Sequence, residues 1–534
     1  MTWLGPLPTL RNEAHYGDRV VLCYTDRPVG IDQMFRATLA KRAGDEAVVD
    51  ERRRLTYAEL DAEIESIAVG LAAQGIGKGQ RIAILLSNAA EFLVAFYAAQ
   101  RIGAIAVPMN VREQGPEIAY VLDHCTVSAI FHDANLASRL PDPFAIPSLT
   151  LRISVGGDSD GSLSYAALAA TTGKAPSDPG SEEDVAMILY TSGTTGRPKG
   201  AMLTQLGLVL AAINYAALMG LRAGDRSAVP VPMSHVTGVT AGILPMLLVG
   251  GCVLSFREFK AGDFIERASR ERMAVVVMVP AMYALCLLQP SFETTDLSSW
   301  RIGGFGGAVM PAATIERLTA RLPDMALINC YGSTETGGPL VMGPPADAMR
   351  KREYVGLPIP IADVTVMDDA GLEVPNGDIG EIWLRAGSVS PGYWNDPAAT
   401  AREFCAGFWK SGDLGRFDDE GFLQVLDRKK DMLNRGGYKI YSSEVEQVLL
   451  ALPEVLEAAI IGKPCPVLGE RVHAFVTVTG AGLDAAGLRA HCAAHLSDYK
   501  VPESFTVGRD PLPRNANGKI LKKDIRQAFL AGIS

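Results

Sequence analysis

The chain has 534 residues, too many for one hydrophobic core, and its length predicts about three or four domains or subdomains. A hydrophobic content of 48% with 21% charged residues is ordinary for a globular protein in water. The formal net charge of -10 argues against nucleic acid or an anionic membrane as a partner held by broad electrostatic attraction.

Met1 to Pro6 has no basic stretch leading into an apolar one, so no signal peptide is expected. Leu55 to Glu59 opens a helix, with Thr56 as N-cap and Glu59 completing a capping box. Leu60, Ile64, Ile67 and Leu71 then recur at helical spacing. Arg81 to Leu86 reads as a strand, Ala90 to Arg101 as a helix, and Gly103 to Val107 as the next strand. Such alternation predicts an α/β fold with parallel sheets covered by helices. Residues 153 to 182, rich in Gly, Ser, Asp and Pro, read as irregular surface chain. The most apolar window, Val239 to Leu254, is broken by Pro245, Gly250 and Gly251 and falls short of the ~20 residues of a spanning helix, so it reads as buried core. Val364 to Trp383 suggests a small antiparallel β unit. After Arg428, helical segments at Ser443 to Leu450 and Asp484 to Leu496 flank β-like runs at Ala458 to Ile461 and Ala474 to Val478. That is enough for a separate α+β domain of roughly a hundred residues. The cysteines at 23, 125, 252, 286, 330, 405, 465 and 492 form no C-x-x-C pair, which fits reduced thiols in a cytoplasmic protein.

The most informative stretch is Tyr190 to Gly200, which follows the apolar run Val185 to Leu189. Gly193 and Gly196 let the backbone turn N–H groups toward a common point; Thr191, Ser192, Thr194 and Thr195 add hydroxyls, and Lys199 adds a mobile charge. A polyphosphate suits all of them. The stretch is not a P-loop, because Pro198 separates Arg197 from Lys199 and Gly200 stands where Ser or Thr is required. In parallel α/β sheets, ligands lie at the carboxyl ends of strands, which is where this loop falls.

Five other stretches carry weaker signals. Tyr331-Gly332-Ser333-Thr334-Glu335 puts an acid at the mouth of a second strand, suited to Mg²⁺, though taken alone it reads sooner as a solvated turn residue. Gly303 to Ala308 has four glycines in six residues, which would let a flat ring lie on the backbone or simply make a turn. Ser411-Gly412-Asp413 offers a carboxylate to ribose hydroxyls or caps a turn. Asp427 to Lys430 reads as a charged linker, and Gly518-Lys519 as a turn lysine.

Taken in this order from about Leu55 to Ile520, these motifs, with Pro232-Met-Ser-His235, resemble the adenylate-forming superfamily of acyl-CoA synthetases, firefly luciferases and nonribosomal-peptide adenylation domains. The resemblance implies a large N-terminal domain, 1–427, that binds ATP and a carboxylic acid. It also implies a hinge at 428–430 centred on Lys430 and a mobile C-terminal domain, 431–534, carrying a catalytic lysine. The carboxylate would attack the α-phosphate to give an acyl-adenylate and pyrophosphate. Thr191 to Gly196 and Lys199 would hold the β- and γ-phosphates, Thr334 the α-phosphate, and Glu335 with Thr194 the Mg²⁺. Gly306, Gly307, Ala308, Asn329, Cys330, Tyr331, Gly332 and Ser333 would surround the nucleotide, with Asp413 and Arg428 on the ribose. Lys519 would neutralise charge between the carboxylate and the α-phosphate. Gly436, Gly437, Tyr438 and Arg257 would meet coenzyme A. His235 would gate an acyl pocket that includes Val236, Val239, Met278, Gly304 and Phe305.

The chain departs from the family pattern at Gln205, Ser234 and Ser442, and from plant coumarate ligases at Asn434 and Gly436. The apolar pocket predicts a neutral acyl or aryl acid, since a buried amine without a partner would be costly. Thioester formation with coenzyme A is the expected second step, with loading of a separate carrier protein as the alternative. A homodimer is compatible with the sequence.

Overall fold

The strand Arg81–Leu85 sends Ile82 and Ile84 into one core and Ala83 and Leu85 into another. Burial on both faces is the property of parallel strands covered by helices on each side. The computed structural model describes residues 3–176, 180–191, 197–479, 483–514 and 520–532. The chain divides into two units, Met1–Val364 with Leu384–Trp409, and Thr365–Trp383 with Lys410–Ser534.

Among the described residues the first unit holds two large sheets. One runs in the order Lys199–Thr204, Val185–Thr191, Ile105–Pro108, Arg81–Leu85, Ala129–Asp133, Leu151–Val155, Leu163–Ser164, parallel except for the hairpin at its first edge. The other runs Leu357–Pro358, Gly338–Met342, Ala326–Ser333, Ile302–Gly306, Val275–Met278, Arg226–Val229, Cys252–Ser255, Glu46–Val49, Arg54–Thr56, with a parallel centre and antiparallel edges.

The helix Ala90–Arg101 begins and ends where its pattern predicted, and every residue of it is buried. A helix covered all round belongs inside a core, and the charge at its end must then be paired. Arg101 meets Asp32 at 3.1 Å, Asp61 at 2.6 Å and Glu65 at 3.2 Å, drawn from the helices Ile31–Arg42 and Tyr57–Ala73. The expected capping box is present: Glu59 N–H donates to Thr56 Oγ1 at 3.2 Å, and Thr56 N–H to Glu59 Oε2 at 2.8 Å. Between 153 and 182 the described residues are more ordered than their composition suggested. They hold the edge strand Leu163–Ser164 and the helix Tyr165–Ala169, capped by Ser164 Oγ, elements too short to show periodicity. The window from Val239 is buried as expected, as a π-helical turn Thr237–Ile243 followed by the helix Leu244–Val249 and the strand Cys252–Ser255. No helix among the described residues is long and apolar enough to cross a membrane.

The strand Phe408–Phe417, which enters the second unit at Lys410, pairs antiparallel with Leu423–Arg428 from Asp413 onward. A five-stranded sheet is built on the long hairpin Val455–Cys465 and Gly469–Val478, packed by Ser442–Leu450 and Ala485–His495. Ser442, where the family often has proline, donates its N–H to Asp427 Oδ2, and its Oγ lies 3.1 Å from Asp427 Oδ1. Proline would lose the first of these bonds.

Asn88 joins the two sheets of the first unit. Its Nδ2 donates to the carbonyls of Val229 (3.2 Å), Val231 (2.8 Å) and Phe256 (3.0 Å), and its Oδ1 accepts from Met233 N–H at 2.8 Å. Asn88→Ala should therefore leave several buried groups without partners and cost about 2–4 kcal/mol. Chemical denaturation measures this, and an unchanged midpoint would contradict it.

Candidate active site

The hairpin Val185–Thr191 and Lys199–Thr204 places Thr191 opposite Lys199, so the loop between them leads into a strand rather than the helix a P-loop opens. Ser192, Gly193, Thr194, Thr195 and Gly196 lie outside the described residues. The stem is braced from below. Tyr190 OH and His124 Nδ1 are 2.7 Å apart, and Tyr120 stacks on His124 with centroids 5.3 Å apart. Tyr120 OH also donates to the Pro198 carbonyl at 3.0 Å. On the outer edge, Trp394 N–H donates to the Gly200 carbonyl at 2.8 Å, which brings Tyr393 beside Lys199.

Glu335 sits in the turn between the strands Ala326–Ser333 and Gly338–Met342, and Thr336, fully buried, pins that turn through Ser333 N–H at 2.8 Å. Buried Glu335 accepts from Ser333 Oγ at 2.6 Å, with Tyr393 OH at 3.0 Å and Thr191 Oγ1 at 3.5 Å. The ends of strands from both sheets thus converge on one carboxylate. Tyr393 OH also points to Glu403 Oε2 at 2.7 Å, which accepts from Lys199 Nζ at 2.5 Å. Burial, with the charges of Glu335 and Glu403, pushes the Tyr393 phenol far up, so it remains a donor. Burial would also raise the Glu403 carboxyl, but hydrogen bonds from Lys199, Tyr393 and Arg402 outweigh it and hold the pKa below the ordinary value. Glu335, Ser333 and Thr191 form a set of hard oxygen donors that fits Mg²⁺.

The glycine-rich stretch owes much of its composition to packing. A Cβ on Gly303 would lie 2.9 Å from Met325 Sδ, one on Gly304 2.8 Å from Val277 Cγ2, and one on Gly306 2.3 Å from the Cys330 carbonyl oxygen. Gly307, at φ +78°, and Ala308 are exposed beyond the strand end. Asn329 and Tyr331 are half-buried and Gly332 is exposed, whereas Cys330 is buried and its thiol is pushed up to about 12 by burial. Thr334 is half-buried in the same turn as Glu335.

His235 stands half-buried before the π-helical turn, a feature often found at functional sites. Thr237 N–H donates to His235 Nδ1 at 3.2 Å, which assigns the ring proton to Nε2 in the neutral form. Val236, Val239, Met278 and Phe305 belong to one buried core, with Met278 and Phe305 paired across adjacent strands. Arg257 lies at a different place in this unit, 3.8 Å from Asp133.

In the second unit, Asp413 and Arg428 are cross-strand neighbours, with Arg428 Nε 2.6 Å from Asp413 Oδ1. Lys430 is exposed. Gly436 and Gly437 have φ of +60° and +92° in a two-residue hairpin turn between Leu433–Arg435 and Tyr438–Ile440, a geometry that itself calls for glycine. Tyr438 stacks on Tyr499 with centroids 4.7 Å apart. Lys519 lies outside the described residues. Sequence reading missed Tyr393, Glu403 and Thr336. The last is one residue beyond a motif already noted, but no local signal ties Glu403 to Lys199.

A family model described as AMP-binding enzyme matches residues 35–394, and one described as AMP-binding enzyme C-terminal domain matches residues 444–519. The chain is 35% identical to an indoleacetate–CoA ligase of Aromatoleum aromaticum, over 91% of this chain and 95% of that protein. It is 33% identical to a long-chain-fatty-acid–CoA ligase of Mycobacterium tuberculosis, over 93% and 98%. Among solved structures, o-succinylbenzoate coenzyme A synthetase of Bacillus subtilis in complex with ATP and magnesium ion is 28% identical. It superimposes with a TM-score of 0.82 over 92% of this chain and 99% of that one.

Burial holds the His235 pKa below its ordinary 6.5. The imidazole should therefore titrate below pH 6.5 by NMR. As pH falls through that value the unfolded chain takes up the proton first, so His235 subtracts stability on the acid side. His235→Gln should flatten the acid limb of a stability–pH profile, and a titration midpoint at or above 6.5 would contradict the assignment.

Proposed function

The chain belongs to the AMP-binding enzyme family as an acid–thiol ligase of the acyl-CoA synthetase kind, and from that premise we propose that it activates a neutral acyl or aryl carboxylic acid and passes it to coenzyme A. The observation that carries the reading is the convergence of Thr191, Lys199, Ser333 and Glu335 at the ends of strands from two sheets. Cationic and hydroxyl donors lie there beside a buried carboxylate, as a metal-bound triphosphate requires.

In this reading Lys199 and the loop residues Thr191 to Gly196 take the β- and γ-phosphates, and Thr334 takes the α-phosphate. Glu335 with Thr194 holds Mg²⁺, which when bound neutralises phosphate charge. Gly306, Gly307, Ala308 and the run Asn329 to Ser333 take the base and its approach. Asp413 would accept from the ribose hydroxyls, and Arg428, already paired with it, would fix its orientation. Lys519 would stabilise the anionic transition state of adenylate formation. Lys430 would serve as the hinge between domains at 1–427 and 431–534. Gly436, Gly437, Tyr438 and Arg257 would meet coenzyme A. The apolar side chains of Val236, Val239, Met278 and Phe305, next to His235 and Gly304, favour an uncharged tail. The named relatives act on an indole acid and on long-chain fatty acids, both consistent with such a tail.

Pyrophosphate release with MgATP across a panel of carboxylic acids, with and without coenzyme A and with products identified by mass, tests the whole reading. Acyl-CoA from one acid class supports it. Acyl-AMP that accumulates while coenzyme A is ignored would move the acceptor to a carrier protein. Lys519→Ala should slow adenylate formation by roughly 10² or more, the usual loss for one preorganised charge, and spare thioester formation from supplied acyl-AMP. Equal loss in both half-reactions would remove Lys519 from its assigned role.

A further inference from the structure

Lys199 and Glu403 are distant in sequence, yet Nζ and Oε2 meet at 2.5 Å with only 11% and 23% of their side chains exposed. Lys199 also lies 4.2 Å from the centre of the Tyr393 ring, so its ammonium is held on two sides. Glu403 ends the helix Pro397–Glu403, whose dipole disfavours a carboxylate at that end. Its charge is offset by two cations and a neutral hydroxyl instead: Arg402 donates to Oε1 at 2.9 Å, Lys199 donates to Oε2, and the Tyr393 phenol also donates to Oε2. If Lys199 departed, Glu403 would keep Arg402 and the Tyr393 hydroxyl and would not become an unpaired charge. The ion pair can thus open at modest cost.

We propose that Glu403 is the resting counter-ion of Lys199 and that nucleotide exchanges it for phosphate, so that Glu403 sets how tightly ATP and pyrophosphate are held. The proposal rests on the reading of Lys199 as a phosphate ligand. Before it reaches phosphate, the ammonium must leave a carboxylate that is already hydrogen-bonded, and the remaining anion then faces the polyphosphate. Both effects weaken binding of either ligand. Glu403 acts through Lys199 and is a positioning residue rather than a catalytic one.

The test compares wild type, Glu403→Gln, Lys199→Ala and the double variant, reading MgATP dissociation constants by calorimetry without acid and the inhibition constant of pyrophosphate. Glu403→Gln should tighten both by about three- to tenfold, and in the Lys199→Ala background its effect should fall below about twofold. Affinities that are unchanged or weaker in Glu403→Gln, or shifts of equal size in both backgrounds, would overturn the proposal while leaving Lys199 as a phosphate ligand. Lys199→Ala with wild-type affinities would overturn that reading itself, and the proposal with it. Should Glu403→Gln fail to fold, Glu403→Asp draws the charge back by one methylene and should shift both constants the same way, but less.

Discussion

Arg101 is the charge on which the first unit is organised. A guanidinium inside a core is tolerable only when paired, and three carboxylates from two other helices supply the pairing. Ala90–Arg101 is thereby tied to Ile31–Arg42 and Tyr57–Ala73, and all three helices contribute to the core that both large sheets share. Asn88, two residues before that helix, links the end of Arg81–Leu85 to the chain beyond Arg226–Val229 and Cys252–Ser255. With the sheets fixed in this way, Thr191 from one and Glu335 from the other come within 3.5 Å without a local turn to join them.

The fold was legible wherever structure is local. The capping box at Thr56, the helix from Ala90 and the strand at Arg81 follow from propensity and period, and the structure reproduces them. The unit division was harder to see, because Thr365–Trp383 belongs with the second unit while Leu384–Trp409 returns to the first. A sequence is read as one line, and such interleaving depends on tertiary contact.

The site was legible in part, for a related reason. Motif residues such as Lys199 and Glu335 announce themselves because glycines and hydroxyls cluster around them. The glycines also mislead. Gly306 suggested room for a flat ring, yet its missing Cβ is demanded by the Cys330 carbonyl of the neighbouring strand. Gly436 and Gly437 suggested a meeting point for coenzyme A, yet a two-residue hairpin turn by itself calls for both. Glycine reports that a side chain is excluded, and only the neighbours reveal what excludes it. Tyr393 and Glu403 carried no such signal: a lone tyrosine and a lone helix-end glutamate acquire meaning only once the edge pairing at Gly200 brings them under Lys199.

On the proposed reading, the electrostatics of this group follow from what a polyphosphate site must avoid. A lysine, a hydroxyl loop and a metal site could bind triphosphate and pyrophosphate with equal strength, and such uniform binding does not speed the chemical step. It would instead hold the product. Near Lys199 the first unit places two carboxylates, Glu335 and Glu403, bridged by one phenolic hydroxyl. The positive charge is thus balanced before any ligand arrives. Glu335 has the hydroxyls of Ser333 and Thr191 beside it and is disposed toward a cation, whereas Glu403 has Arg402 and Lys199 and is already neutralised. Two acids a few ångströms apart are therefore set for different tasks by their neighbours alone.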